Sequence, residues 1–412
     1  MYEYKVVNTL ELDYKLSKKY FKSREKSLNV LGSACLEATE NRIIKLKEKG
    51  YKIISDLSGG YDTRAVIGCL NKYDREVSYY TNEYVQDETI IAEPLFRSLG
   101  SPGTYTKTCF RNEIDVEKIS ELIFRTEARV NYYTTSVCYN DAKYLKENYT
   151  ATRTGHFGGL GGEFIRHPGK KWYLSIYKSI ENKVFSKLSI NEACSMVKMD
   201  PNECKNMFRT YFKSYKERKK SDILRHFYFE YYKNHVVEAG EDRERIFHWH
   251  LQPMLSKSFL CTIFNKIPMK WINFNYFIDF MSQIDERLLN TPIYKSRIDL
   301  KSTKSINRYD KESKKQNGAR KFIKRLVKDK LSIMVQIFEK LRGKSEINKN
   351  NSDIFQIFDK YYSELNKFKN IFEISSVKRF IDKAGGEHNR LITLAMYLRE
   401  IEKRYSDKIK QT

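Results

Sequence analysis

The sequence predicts an α/β protein in which a parallel sheet is followed by a mostly helical C-terminal region. Two observations lead to this prediction. Short apolar runs alternate with helical patterns up to about residue 170, and one run, 53–57, ends in a Ser-Gly-Gly turn that leads into a helix. Strands that alternate with helices are typical of a parallel sheet, whose ligands bind beyond the carboxyl ends of the strands.

The elements of the sheet region follow from hydrophobic periodicity. Residues 1–50 are predicted to form a helical lead-in, with Leu12, Leu16 and Leu28 at helical spacing. Residues 51–170 are predicted to form the core, with four strands at Tyr51–Leu57, Glu76–Thr81, Thr104–Cys109 and Ala151–Thr154. The helices between them are predicted near Thr63–Lys72, Glu88–Leu99, Val116–Arg129 and Val137–Asn148.

The strand signal fades after about residue 172, where aromatic and charged helical patterns dominate. Residues 171–300 are therefore predicted to form a helical part of the same protein, and 301–412 a basic loop followed by C-terminal helices. Ala319–Arg342 has an apolar side with lysines elsewhere. This helix could bind peripherally to the inner face of an anionic membrane. Alternatively, it could pack on the core of the protein with its lysines in water.

The chain of 412 residues carries a net charge of +24. Residues 301–350 hold 16 Lys and Arg against 5 Asp and Glu, a surplus of 16 − 5 = +11. This charge indicates either an anionic partner or only a lysine-rich surface, as an AT-rich genome would encode. The seven cysteines include no C-x-x-C pair, the N-terminus has no signal-peptide layout, and no apolar run reaches a membrane-spanning length. We therefore expect reduced thiols in a cytoplasmic protein.

The turn Ser58-Gly59-Gly60-Tyr61-Asp62-Thr63 is the strongest functional signal. A strand that turns on glycines into a helix directs backbone N–H groups and the positive end of the helix dipole toward one anion. Asp62, early in the helix, could hold a Mg²⁺ that bridges the same phosphates. The turn lacks both the lysine of a Walker A loop and the G-x-G-x-x-G pattern of dinucleotide folds. The alternative is an ordinary Gly-Gly turn without a ligand.

Four segments together resemble the synthetase domain of asparagine synthetase, a PP-loop (adenine nucleotide alpha hydrolase-like) ATP pyrophosphatase family whose relatives include β-lactam synthetases and lasso-peptide cyclases. They are the 58–63 turn, the acidic pair Asp87-Glu88 with Leu99-Gly100, the glycine-rich block 154–163, and, loosely, Glu241–Pro253 with Arg245. The resemblance covers roughly residues 10–300 and is strong only at 53–67.

The resemblance implies an ATP-dependent, AMP-forming amide ligase or amidotransferase-like enzyme that uses Mg²⁺. Such an enzyme adenylates a small-molecule or sugar carboxylate and passes the acyl group to ammonia or an amine, as in a polysaccharide or natural-product pathway. The residues implied to bind ATP are Leu57, Ser58, Gly59, Gly60, Asp62, Thr63, Thr81, Gly155, Gly158 and Gly159. Those implied in catalysis are Asp62, Glu163, His156 and Lys295, with Asp62 and Glu163 holding the metal.

Two departures from the family qualify this expectation. Gly162 stands where the family has a second metal-binding aspartate, so either Glu163 takes that role or the metal site is altered. Residue 2 is Tyr rather than the glutaminase cysteine, so we expect ammonia from a separate glutaminase, or an amine on the acceptor.

Several interpretations stay open at this point. The glycine-rich block either approaches a ligand closely or is a flexible surface loop. His156 could contact phosphate or act as an acid or base, Lys295 could be a surface lysine, and His248 with His250 fits a core pair better than a metal site. The alternative functions are a PP-loop tRNA-modifying enzyme, although nucleic acid is the less favoured partner, and a degenerate nucleotide-binding scaffold.

Overall fold

The computed structural model describes part of the chain. The described residues are 20–73, 76–82, 88–109, 115–129, 131–149, 154–166, 189–213, 215, 223, 226–227, 230, 249–268, 270–293, 299–302, 361, 364–367, 369–370, 372–377 and 389–409.

The centre of the fold is an all-parallel sheet of five strands in the order β3-β2-β1-β4-β5. The strands are β1 Lys52–Asp56, β2 Ser78–Asn82, β3 Thr104–Thr108, β4 Thr154–Phe157 and β5 Trp249–Leu251. The central strand β1 pairs with β2 on one side and with β4 on the other, so the later strands are added first to one side of β1 and then to the other. Such a reversal of the strand order leaves a crevice at the carboxyl ends of the strands.

The α-helices whose bounds are described are numbered here in chain order. They are α1 Arg24–Glu48, α2 Asp62–Tyr73, α3 Thr89–Ser98, α4 Val116–Arg125, α5 Tyr132–Tyr149, α6 Glu163–Arg166, α7 Ile190–Met196, α8 Pro201–Lys213, α9 Lys257–Lys266, α10 Phe274–Ile284 and α11 Asn389–Ile409. Two 3₁₀ turns, Pro253–Leu255 and Glu286–Leu289, flank α9 and α10.

The predicted α/β class with a parallel sheet is confirmed, and the first three strands lie where the sequence predicts them. Within the described residues, the fourth strand runs on from Thr154 to Phe157 rather than ending at Thr154. Within the region after residue 172, where helical patterns dominate the sequence, the structure adds one strand that was not predicted, β5. That strand has three residues and is held by pairing with β4, so local periodicity gave no sign of it.

The two faces of the sheet differ in what covers them. Ile53, Tyr79 and Phe157 belong to the large core formed with α1, α2, α9 and α10, which extends from Leu28 to Leu300. On the opposite face, Ile54 and Tyr80 pack with Leu145 of α5. A second core joins α4, the start of α5 and α11. Successive residues of a strand point to opposite faces, so the alternating partners follow from the register.

Arg64 fixes α2 against the segment after α10. Its side chain is fully buried and donates hydrogen bonds to the carbonyl oxygens of Leu288 (2.8 Å), Thr291 (2.6 Å) and Pro292 (2.9 Å). Burial lowers the pKa of this guanidinium to about 10. Since unpaired buried charge is costly, these carbonyl partners are needed to keep Arg64 inside the core.

No helix in the described part of the chain is both long and apolar enough to cross a membrane. The predicted basic loop and the amphipathic segment Ala319–Arg342 lie outside the described residues, apart from 301–302.

Replacing Gly155 by alanine should destabilise the protein, because a Cβ atom there would collide with Leu46 of α1. We expect a loss of about 1–3 kcal/mol in the free energy of unfolding, as is usual for overpacking in a tight core. Gly32→Ala is the matched control, since its Cβ would meet Gln283 at an ordinary 3.7 Å inside α1. It should be neutral or slightly stabilising. Denaturant titration of both variants measures the difference, and an unaffected Gly155→Ala protein would contradict the packing described.

Candidate functional site

The candidate site is the loop 58–61, which joins the end of β1 to the start of α2. β1 is the strand at which the order of the sheet reverses, so the loop opens into the crevice at the carboxyl edge. Asp62 is the first residue of α2. The loop therefore lies at the positive end of a helix dipole, where anions bind favourably.

Short hydrogen bonds hold the loop in shape. The Ser58 and Thr63 hydroxyls share a bond of 2.8 Å, and the Gly60 N–H donates to the Ser58 hydroxyl at 3.1 Å. The Gly59 N–H donates to a carboxylate oxygen of Glu88, 2.8 Å away. A carboxylate oxygen of the protein itself therefore accepts a hydrogen bond from one of the loop's backbone N–H groups.

Asp62 is held between Arg166 and the glycine-rich turn 158–162. Its Oδ2 accepts a hydrogen bond of 2.6 Å from the Arg166 guanidinium, while its Oδ1 is buried and has no hydrogen-bond partner. Burial raises the pKa of Asp62 to about 7; Arg166 opposes the shift and the nearby Glu163 adds to it. The site therefore holds a carboxyl group that ionises only near neutral pH.

The glycine turn fits directly against the first turn of α2. A Cβ atom on Gly159 would lie 2.6 Å from Asp62 Cβ, and one on Gly162 would collide with Asp62 Oδ1. Side chains at these two positions would push α2 and the turn apart. The absence of side chains at Gly159 and Gly162 thus allows the turn to pack closely against α2. Because of this packing, the turn is not a loose surface loop.

Asp62 and Glu163 together fit a Mg²⁺ ion by their donor chemistry. Glu163 Oε2 accepts the Gly161 N–H at 3.2 Å, whereas Glu163 Oε1, like Asp62 Oδ1, is buried without a hydrogen-bond partner. Mg²⁺ takes one or two carboxylates and fills its other positions with phosphate oxygens and water. The described residues contain no group of three or more His, Cys, Asp or Glu side chains that would hold a metal by themselves.

His156 lies on the other face of the sheet from the large core, at the carboxyl ends of β1 and β4. Its Nε2 is hydrogen-bonded to Oδ1 of Asp56, the last residue of β1. The His156 side chain is 6% exposed and that of Asp56 is 41% exposed, so the carboxylate is the part that solvent reaches. The His250 ring is centred 5.0 Å away and contacts the Gln252 amide.

The other predicted nucleotide-binding residues have structural partners. The Leu57 N–H donates to the Tyr80 carbonyl at 2.9 Å, and the Thr81 hydroxyl donates to the Leu57 carbonyl. Gly155 faces Leu46, and Gly158 lies against Gln252 and His250. Lys295 and His248 lie outside the described residues.

Sequence reasoning missed two residues of this region, Asp56 and Arg166, and it missed the hydrogen bond from the Gly59 N–H to Glu88. Arg166 is 104 positions from Asp62, and no periodicity links them. Asp56 precedes the loop by two positions and is a polar residue at the end of an apolar run, which is a usable signal. Glu88 was noticed as part of an acidic pair, but its contact depends on the packing of α3.

No protein-family model matches this chain, and comparison with curated proteins finds no significant relative.

The pKa of Asp62 predicts a pH-dependent stability. The folded protein keeps this proton up to about pH 7, whereas an ordinary aspartate loses it near 3.8. The folded state therefore binds more protons between these values, and the free energy of unfolding should fall as pH rises from about 4 to 7, then level off. The slope is at most about 1.4 kcal/mol per pH unit.

Chemical denaturation of the wild type and Asp62→Asn, without divalent metal, tests this expectation. The difference in unfolding free energy between the two proteins isolates the contribution of Asp62. A difference that is constant with pH, or that favours the wild type more as pH rises from 4 to 7, would contradict it.

Proposed function

We propose that this protein is an ATP-dependent ligase that forms AMP and pyrophosphate and joins a carboxylate to ammonia or an amine. The observation that carries the proposal is the loop 58–61 at the switch point of a parallel sheet, next to two carboxylate oxygens without partners. Loops in this position bind ligands in open α/β sheets. The partnerless oxygens at Asp62 and Glu163 supply the acidic ligands that a magnesium–phosphate complex needs.

The composition of the loop supports cleavage between the α- and β-phosphates. No lysine occurs in the loop or in the first turn of α2, so the loop lacks the side chain with which P-loop enzymes hold the β- and γ-phosphates during γ-transfer. A short cradle of N–H groups suits pyrophosphate as the leaving group and leaves the α-phosphorus open to a carboxylate. The attack forms an acyl-adenylate, and the later attack of an amine on the acyl carbon releases AMP.

Each part of the chain has a separate task in this reaction. The Gly59 N–H, now bonded to Glu88, would donate to a phosphate oxygen once Glu88 moves away. Asp62 and Glu163 would hold Mg²⁺, which neutralises charge on the phosphates when bound. The dipole of α2 favours the same negative charge at no cost of reorganisation. Catalysis then depends on position and electrostatics rather than on a covalent intermediate.

The Asp56–His156 pair is suited to take the proton that the amine loses. When the amine nitrogen bonds to the acyl carbon and the bond to AMP breaks, one N–H proton must leave. The Asp56 carboxylate is exposed, and His156 behind it is buried and hydrogen-bonded to it. Such a pair can accept a proton and share it within the hydrogen bond. Its place at the carboxyl ends of the two central strands is near the loop.

A second candidate is a nucleotide-binding scaffold without turnover. The observation in its favour is the ion pair between Arg166 and Asp62, which occupies one oxygen of the carboxylate that the metal would need. Gly162, where the resembled family has another aspartate, points the same way.

The reaction products separate the two candidates. With ATP, Mg²⁺ and a panel of amino acids and uronic-acid sugars, exchange of labelled pyrophosphate into ATP should appear with the true carboxylate, and AMP should accumulate once an amine is added. Formation of ADP instead would refute the proposal. ATP binding without exchange across the whole panel would favour the scaffold.

Asp62→Asn should lower the rate of pyrophosphate release by roughly 10²–10⁴, because it removes the charge that holds the metal. Asp279→Asn is the matched control, since Asp279 is also paired with an arginine, Arg24, but lies on α10 at the surface. That variant should keep the wild-type rate. Release rates measured beside thermal melts distinguish lost chemistry from lost folding, and an active Asp62→Asn protein would show that the metal does not bind there.

A further inference from the structure

We propose that Arg166 is the cation that binds the leaving pyrophosphate. This inference rests on the proposed function and assigns a role that neither the loop motif nor the predicted Lys295 covers. Its basis is the position of the Arg166 guanidinium beside the start of α2, its fixed orientation, and the balance of charge around the loop.

Arg166 ends the short helix α6, which directly follows the glycine turn. One of its terminal nitrogens donates to Asp62 Oδ2 at 2.6 Å, and Asp62 is the first residue of α2. The guanidinium therefore lies at the helix N-terminus on which the proposed phosphate site is built. The close contact of Gly159 with Asp62 fixes the distance between these two segments.

Aromatic rings hold the guanidinium in place. Its central carbon lies 5.0 Å from the centre of the Tyr61 ring and 5.2 Å from that of Phe277. Tyr61 is itself packed edge-on against Phe274 at 5.0 Å. The Arg166 side chain is only 14% exposed, and its Nε is buried without a hydrogen-bond partner. The side chain thus has a fixed orientation and spare capacity to donate hydrogen bonds.

The excess of negative charge around the loop favours a cation such as Arg166 at this position. Within the described residues, the carboxyl groups at the loop or close to Asp62 are those of Glu88, Asp62 itself and Glu163, and the Arg166 guanidinium is paired with Asp62. Pyrophosphate brings further negative charge. One Mg²⁺ offsets only part of this excess, so a permanent cation is needed where the leaving group gains charge.

The chemical step is consistent with this role. A substrate carboxylate oxygen bonds to the α-phosphorus, and the bond from that phosphorus to the bridging oxygen breaks. The electron pair of the broken bond stays on the bridging oxygen, which becomes part of pyrophosphate. Arg166 donates hydrogen bonds to this charge and transfers no proton, because guanidinium remains protonated in proteins. Because Arg166 is bonded to Asp62 Oδ2, Asp62 Oδ1 would remain available to hold Mg²⁺ at the same time.

Calorimetric titration of the full chain with inorganic pyrophosphate and Mg²⁺ tests the proposal without any need for turnover. Arg166→Met, which keeps an unbranched side chain between the rings, should weaken pyrophosphate binding about 10- to 100-fold. Arg166→Lys keeps the charge but not the planar fork, and should weaken it about 3- to 10-fold. Arg287→Met is the control, since Arg287 also pairs with an aspartate, Asp285, at 2.7 Å. It should bind pyrophosphate as the wild type does.

The outcomes separate this inference from the proposed function. Wild-type protein that binds neither pyrophosphate nor ATP would overturn both. Wild-type binding that both Arg166 variants retain, or strengthen by freeing Asp62, would overturn the role of Arg166 alone. If Arg166→Met melts far below the wild type, the decision passes to Arg166→Lys, whose graded loss of affinity with an unchanged melting temperature supports direct contact. Equal loss in Arg287→Met would show a general charge effect and would also overturn it.

Discussion

The close contact between the glycine turn 158–162 and the first turn of α2 is the constraint on which the candidate site depends. Gly159 lies against Asp62 Cβ, and Gly162 lies against the Asp62 carboxylate. This approach brings the chain that follows, Glu163 and Arg166, to the N-terminus of α2. Two segments about a hundred residues apart thereby form one charged cluster. Arg64, two residues after Asp62 on the same turn of α2, holds that helix in place through hydrogen bonds to three carbonyl oxygens.

The cluster is a compromise between stability and chemistry. Buried carboxylate oxygens without hydrogen bonds are unfavourable, and proteins usually avoid them. Two such oxygens occur in the candidate site, Asp62 Oδ1 and Glu163 Oε1, and Arg166 is bonded to the other oxygen of Asp62. Unsatisfied groups of this kind are typical of functional sites, where a ligand completes what folding leaves open. The large hydrophobic core, whose residues range from Leu28 to Leu300, contributes the folding free energy that offsets the cost of these unpaired groups.

The sequence predicted much of the fold because its signals are local. Apolar runs marked β1, β2 and β3, and glycines after an apolar run marked the loop and α2. The strand β5 was not predicted, because its three residues are too few to show a hydrophobic alternation and it is stabilised by pairing with β4. In the candidate site, Asp62 and Glu163 were predicted from their motifs. Arg166 and the Glu88 contact were missed because they depend on tertiary packing, whereas Asp56 left a local signal, a polar residue at the end of an apolar run. Gly155 packs against Leu46 of α1.

Gly162 limits the routes by which this site can change over generations. An aspartate at 162 would have its Cβ in the space of the Asp62 carboxylate, so it cannot be gained by one substitution while Asp62 and the turn keep their present positions. A lineage would first have to shorten residue 62, which removes its carboxylate, or lengthen the turn, which alters its packing on α2. Positions 62 and 162 therefore form an epistatic pair, in which the residue tolerated at one position is decided by the other.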